Sequence, residues 1–249
     1  MRLKKKLKFE GIMKNKKTNL NEEKVADPIG DILESFKVVE DKSNNRKIGL
    51  YGELDSEKGE LVTYSLLHLH DTRMKSVPRP LTEAQKKKLN KKLKDAESKE
   101  EEVLELKFDE VSQPIEFIIS TPGGRASDMF TIYDTMRMVR KDCEIHTFGL
   151  GQVMSAGTLL LASGTKGKRK IGKHCRVMVH QVSAGTAGAH HEMINEIAEI
   201  QHTQEQYIKC LATETKMSVS FIKKLFDRKV NIYMSAEEAV KNGLADIIV

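Results

Sequence analysis

After the turn Pro122-Gly123-Gly124, apolar residues recur at intervals of three and four: Met129, Ile132, Tyr133, Met136 and Val139. That spacing predicts a helix that buries one face. Ahead of the turn, Ile115 to Ser120 is a short apolar run suited to a buried strand. Lys47 to Leu54 reads as another strand, followed by helical spacing over Leu61 to Leu69. Further on, Glu144 to Gly149 predicts a strand ended by Gly151, Ser155 to Ala162 a short helix, and Arg176 to Val179 a further strand. A long helix is expected over Glu192 to Ala212, with Ile194, Ile197, Ile200, Tyr207, Ile208 and Leu211 as its stripe. Strands alternating with helices in this way imply an α/β fold with parallel strand pairing. No internal repeat is evident.

Two stretches break the pattern. Residues 82–107 run from a Lys-rich half into a Glu-rich half, with Leu89 and Leu93 four apart and Pro78 and Pro80 ahead of them. Good helix formers dominate, so a charged surface helix or a flexible insertion is expected there, not core. Residues 1–24 carry nine basic side chains against three acidic ones, which matches the whole net charge of +6. Aromatic residues for base stacking are nearly absent from this arm, which favours a solvated, mobile terminus over a nucleic-acid-binding one. The expected division is a basic arm over 1–45 and one domain over 46–249, interrupted by the charged insertion at about 73–113.

Composition narrows the class. At 249 residues, 39% of them hydrophobic, the chain can bury one sizeable core or two small ones. No apolar run approaches the roughly 18 residues of a membrane-spanning helix. The Lys-rich start is followed by Asn15, Lys16 and Lys17 where a secretory signal needs an apolar stretch. Cys143, Cys175 and Cys210 are an odd number without paired spacing, which argues against a disulfide framework and for a reducing, cytoplasmic setting.

Two glycine-rich turns lie where a strand feeds a helix: Thr121-Pro122-Gly123-Gly124, and Gly149 through Gly157. The second puts Ser155 at a helix start, where unpaired N–H groups favour developing negative charge. A serine there is also what an ordinary cap looks like, and a lone histidine at a strand end is more often structural. Here the two occur together: Val177-Met178-Val179-His180 places an imidazole at a strand end that could partner Ser155. The N–H groups of Gly124 and Ala156 could form an oxyanion hole. Other motif matches fail. Gly167 to His174 ends in histidine where a phosphate-binding loop needs a hydroxyl, and His191-Glu192-Met193-Ile194-Asn195 lacks the second ligand of a zinc-protease helix. No metal and no cofactor are expected from His190, His191 and His202 or elsewhere. Met136 and Met138 read as gap-filling core.

These residues resemble the proteolytic subunit of the Clp protease, a serine peptidase family. The resemblance is carried by Thr121-Pro122-Gly123-Gly124, Ile132-Tyr133-Asp134-Thr135-Met136, Gly151 through Gly157, Gly164 through Arg169, Arg176 through Gln181, and Met234 through Asp246. It covers about residues 46–72 and 114–249, roughly two-thirds of the chain. It implies a crotonase-like β-α superhelix of repeated β-β-α units with a protruding handle helix after His180, near Gly185 and Gly188. It also implies Ser155 as nucleophile, His180 as general base and then acid, and Gly124 and Ala156 as oxyanion donors. The sequence departs at the third member: the family's aspartate is Asn231 here, which can accept the histidine N–H but brings no negative charge. Asp227, four residues earlier, is the alternative. The family also implies homo-oligomers of two stacked heptameric rings, polypeptide substrates, and an AAA+ Clp unfoldase as partner, with no membrane. The competing readings are a catalytically silent ring subunit, which Asn231 favours, and an acyl-CoA enzyme on the related crotonase fold, where Ser155 and His180 have no evident role. For the arm, pore gating, cleavage as a propeptide and binding of another molecule all stay open.

Overall fold

The computed structural model describes residues 4–7, 45–79, 82, 84, 87 and 104–249. In chain order its strands and helices are β1 (Lys4–Leu7), β2 (Lys47–Tyr51), α1 (Ser56–Asp71), β3 (Met74–Pro78), β4 (Leu104–Ser112), β5 (Ile115–Thr121), α2 (Ala126–Val139) and β6 (Ile145–Met154). There follow α3 (Ala156–Ala162), β7 (Lys170–Ile171), β8 (Arg176–Val179), α4 (His190–Glu214), α5 (Val219–Phe226), β9 (Ile232–Met234), α6 (Ala236–Lys241) and β10 (Ile247–Ile248).

The chain divides into two compact units, one from residues 1–45 and 74–111, the other from 46–73 and 112–249. The first holds a three-stranded sheet in the order β1-β4-β3, with Lys4 opposite Lys107 in an antiparallel pair. Two expectations change here. The first described residues of the arm are a strand, not solvated coil, and residues 8–44 of the arm lie outside the described residues. Residues 104–107, expected in a charged helix or flexible insertion, belong to β4. Leu104, Leu106 and Phe108 alternate with charged residues, and that period of two outweighs the helix-forming composition around it. Ala84 and Lys87 are helical, and most of the remaining insertion lies outside the described residues.

The second unit is a seven-stranded sheet, β10-β7-β6-β5-β2, with β8 paired to β6 and β9 to β8. Every pairing is parallel except β8 with β9. Its core joins Phe117 and Ile119 of β5 to the wholly buried α3 and to the α2 stripe Met129, Ile132, Tyr133, Met136 and Val139. Met138 faces the other way and is 49% exposed, so it is not core. β6 runs on past the expected stop at Gly151 to Met154. The register slips there, Ile119 pairing with Gly149 but Thr121 with Val153, and Gly151 takes the left-handed φ of 61° that the bulge requires. Beyond the bulge β6 leaves β7 and pairs with β8. In α4 only the C-terminal half of the apolar stripe is core: Tyr207, Ile208 and Leu211 are buried, whereas Ile194 and Ile197 are 53% and 49% exposed.

Candidate active site

Three adjacent parallel strands end along one edge of the sheet, as active sites of α/β folds commonly require. β6 stops at Met154, and Ser155 makes the turn into α3 with φ 53° and ψ −121°. That conformation is costly for a residue with a side chain, and the surrounding hydrogen bonds hold it. The Ser155 N–H donates to the Met178 carbonyl at 2.8 Å. Its carbonyl accepts from the Thr158 N–H at 3.0 Å, Thr158 Oγ1 at 2.6 Å and the Tyr207 hydroxyl at 3.1 Å. Met154 and Met178 are register partners, so Ser155, one residue after Met154, and His180, two residues after Met178, lie side by side at the strand ends. His180, directly after β8, thereby brings Nε2 to 2.8 Å from Ser155 Oγ.

β5 contributes the third part. The Gly123 N–H donates to Thr121 Oγ1 at 3.0 Å, and the following residues bridge to Leu54: the Leu54 N–H donates to the Gly123 carbonyl at 2.7 Å, and the Arg125 N–H to the Leu54 carbonyl at 2.9 Å. The N–H groups of Gly124 and Ala156 donate to no acceptor among the described residues. A Cβ on Gly123 would lie 2.5 Å from Ser155 Cβ, and one on Gly124 would overlap the Leu54 backbone, so only glycine permits this approach. The resulting cavity, about 530 Å³, is lined by Gly124, Met129, Ser155, Ala156, His180 and Tyr207 among others.

His180 is half-buried, and burial pushes its imidazole below the usual histidine value. Asn231 stands next to it in the backbone: β8 and β9 pair antiparallel with Val179 opposite Ile232, and one further step of that register sets His180 against Asn231. The Asn231 side chain is exposed, and among the described residues no hydrogen bond joins it to His180. Asp227 caps α5 and is likewise exposed and unbonded to His180. His190, His191 and His202 are all exposed on α4.

Three residues of the site were not singled out in the sequence. Thr121 and Thr158 orient backbone through their hydroxyls, and hydroxyl residues beside glycine turns carry no distinguishing signal. The spacing of α4 puts Tyr207 in its core stripe, which its ring fits. Its hydroxyl instead meets Thr158 Oγ1 at 2.7 Å, and burial pushes its pKa up to about 12, so it stays a neutral donor.

The family model of the Clp protease matches residues 81–249. The chain belongs to the Clp protease family. Among curated relatives it is similar to the ATP-dependent Clp protease proteolytic subunit 2 of Chlamydia trachomatis, with 36% identity over 148 residues, covering 59% of this chain and 71% of that one. It matches proteolytic subunit 4 of Rhodococcus jostii at 36% over 148 residues, 59% and 74% of the two chains, and subunit 2 of Chlamydia pneumoniae at 35%. The α/β fold with its mainly parallel sheet is that of the family, and the activity is that of a Clp-type serine peptidase. Family membership favours this over the silent ring subunit. Members of the family generally form rings that work with ATP-dependent Clp unfoldases. Among the described residues no helix is long and apolar enough to cross a membrane.

Proposed function

We propose that this chain cleaves polypeptides by acyl transfer through Ser155. His180 Nε2 takes the hydroxyl proton as Oγ attacks the peptide carbonyl, and returns that proton to the departing amine. Water then attacks the acyl-enzyme with the same imidazole as base, releasing the acid and restoring Ser155. The N–H groups of Gly124 and Ala156 receive the oxyanion in both halves. Asn231 orients His180 by accepting its Nδ1–H once substrate closes the site, without the charge that an aspartate would add. The observation that carries this reading is the 2.8 Å contact between Ser155 Oγ and His180 Nε2, beside two backbone N–H groups that have no acceptor among the described residues.

The same family relationship supports an assembly of two stacked heptameric rings, with α4 as the handle between them, an AAA+ unfoldase feeding unfolded chains into the chamber, and a cytoplasmic setting. In this reading the protease domain spans 46–249, interrupted by the charged insertion at about 73–113, and the basic arm over 1–45 precedes it. The test is hydrolysis of a fluorogenic peptide by the intact oligomer. Turnover in the wild type and its loss in Ser155→Ala are expected; equal rates in the two proteins contradict the assignment.

A further inference from the structure

The Ser155 carbonyl and the Ala156 N–H belong to one trans peptide and therefore point in opposite directions across one plane. Whatever fixes the carbonyl also aims the N–H. The carbonyl is held by three donors, two from Thr158 and the third from Tyr207, whose hydroxyl lies 3.1 Å away. Each hydroxyl carries one proton: Thr158 gives its own to the Ser155 carbonyl at 2.6 Å, and the tyrosine proton is shared between Thr158 Oγ1 at 2.7 Å and the same carbonyl at 3.1 Å. Thr158 and Tyr207 thus form a short relay of hydroxyls against a peptide whose first residue has φ 53°. Both side chains are buried, Thr158 completely and Tyr207 to within 4% of its surface, so water does not compete for these bonds. Tyr207 belongs to α4, remote in sequence from α3, and its ring stacks on Phe226 with centroids 6.1 Å apart. The ring's place is set by packing, and that packing delivers the hydroxyl to the elbow.

We propose that Tyr207 and Thr158 are positioning residues of the oxyanion hole, holding the 155–156 peptide so that the Ala156 N–H faces the developing oxyanion. The inference rests on the acyl-transfer reading above and deepens it. Without the two hydroxyls only the Thr158 N–H still holds the carbonyl, so the strained peptide relaxes toward a more ordinary conformation and the donor turns away from the reacting oxygen. The ground-state substrate relies little on that donor, so the loss falls on the transition state.

The experiment measures kcat, KM and the affinity of a peptide boronate, whose tetrahedral serine adduct puts an oxygen in the oxyanion hole, at matched oligomer size and thermal stability. Tyr207→Phe keeps the ring and its stacking and removes only the hydroxyl. It is expected to lower kcat by about 5- to 50-fold, less than loss of an oxyanion donor itself, with KM within about twofold and boronate affinity falling in parallel with kcat/KM. Thr158→Val is expected to do the same, Thr158→Ser to retain wild-type rates, and Tyr207→Phe with Thr158→Val to cost no more than the larger single change. If Thr158→Val fails to assemble, Tyr207→Phe decides alone. Wild-type kcat in Tyr207→Phe, or a fall in kcat that leaves boronate affinity untouched, overturns the positioning role while turnover that depends on Ser155 leaves the acyl-transfer reading standing. No turnover by the wild-type ring with its unfoldase overturns both.

Discussion

At the residue scale the proposed reaction turns on an imidazole that bonds to no carboxylate among the described residues. Burial lowers the His180 pKa below its ordinary 6.5, so the neutral base persists to lower pH than in a free histidine. The acid limb of kcat/KM is therefore expected below pH 6.5. Asn231→Asp places a negative charge at the position that the β8–β9 register sets against His180. It stabilises the imidazolium, raises the His180 pKa, moves the acid limb upward and increases kcat by about tenfold or more, a change that pH-rate profiles of the two proteins resolve. An unchanged profile would remove Asn231 from the site. The fold brings Ser155 and His180 into contact, and that these two and the turns bearing the Gly124 and Ala156 N–H groups could meet was legible from side chains and turns at strand ends. The geometry that Thr121, Thr158 and Tyr207 impose was not, because a hydroxyl's partner depends on the tertiary path of the backbone and not on neighbours in sequence.

At the scale of elements, the end of α4 is anchored by a buried carboxylate. Glu214, 1% exposed, meets Arg137 at 2.9 Å and Arg140 at 3.0 Å, both from the α2 region, with the Tyr133 hydroxyl at 3.3 Å. Arg169 closes the same corner, donating to the carbonyls of Ala162, Glu214 and Gly243. Burial alone would raise the Glu214 carboxyl, but hydrogen bonds from Arg140 and Arg137 outweigh it and hold it below 4.5. The stability it contributes is thus complete above pH 4.5 and is lost as pH falls through the lower, folded value. Glu214→Gln should cost about 3–5 kcal/mol at neutral pH. In thermal melts the gap between the two proteins should be widest near pH 7 and close below pH 4.5. Helix α2 could be read from its stripe residue by residue, since a single amphipathic face packs on a single core. β6 could not be bounded: glycine at 149 and 151 marks both a turn and a bulge, and only the strands on either side decide which. β4 was hidden because charged side chains on its alternate positions resemble the composition of an exposed helix.

At the scale of the whole molecule, the two exposed isoleucines of α4 matter most. Ile194 and Ile197 stand on the N-terminal half of a 25-residue helix whose C-terminal half supplies the core residues and Tyr207. If α4 is the handle between rings, Ile197→Asp introduces a charge into that contact and should halve the native mass from double to single ring, read by native mass spectrometry, with the fold of the subunit unchanged. A double ring that survives the substitution would place the contact elsewhere. The alternation of strands and helices made the α/β class legible from sequence. The division into two units was foreshadowed by the basic arm and the charged insertion, which stand apart in composition, but not that β1 of the arm pairs with β4. The most direct test of the central claim is covalent labelling of the native oligomer with a fluorophosphonate, followed by peptide mapping. A single adduct on Ser155, absent from Ser155→Ala and strongly reduced in His180→Ala, is the predicted result. Labelling that is absent in the wild type, or that falls on another serine, would contradict it.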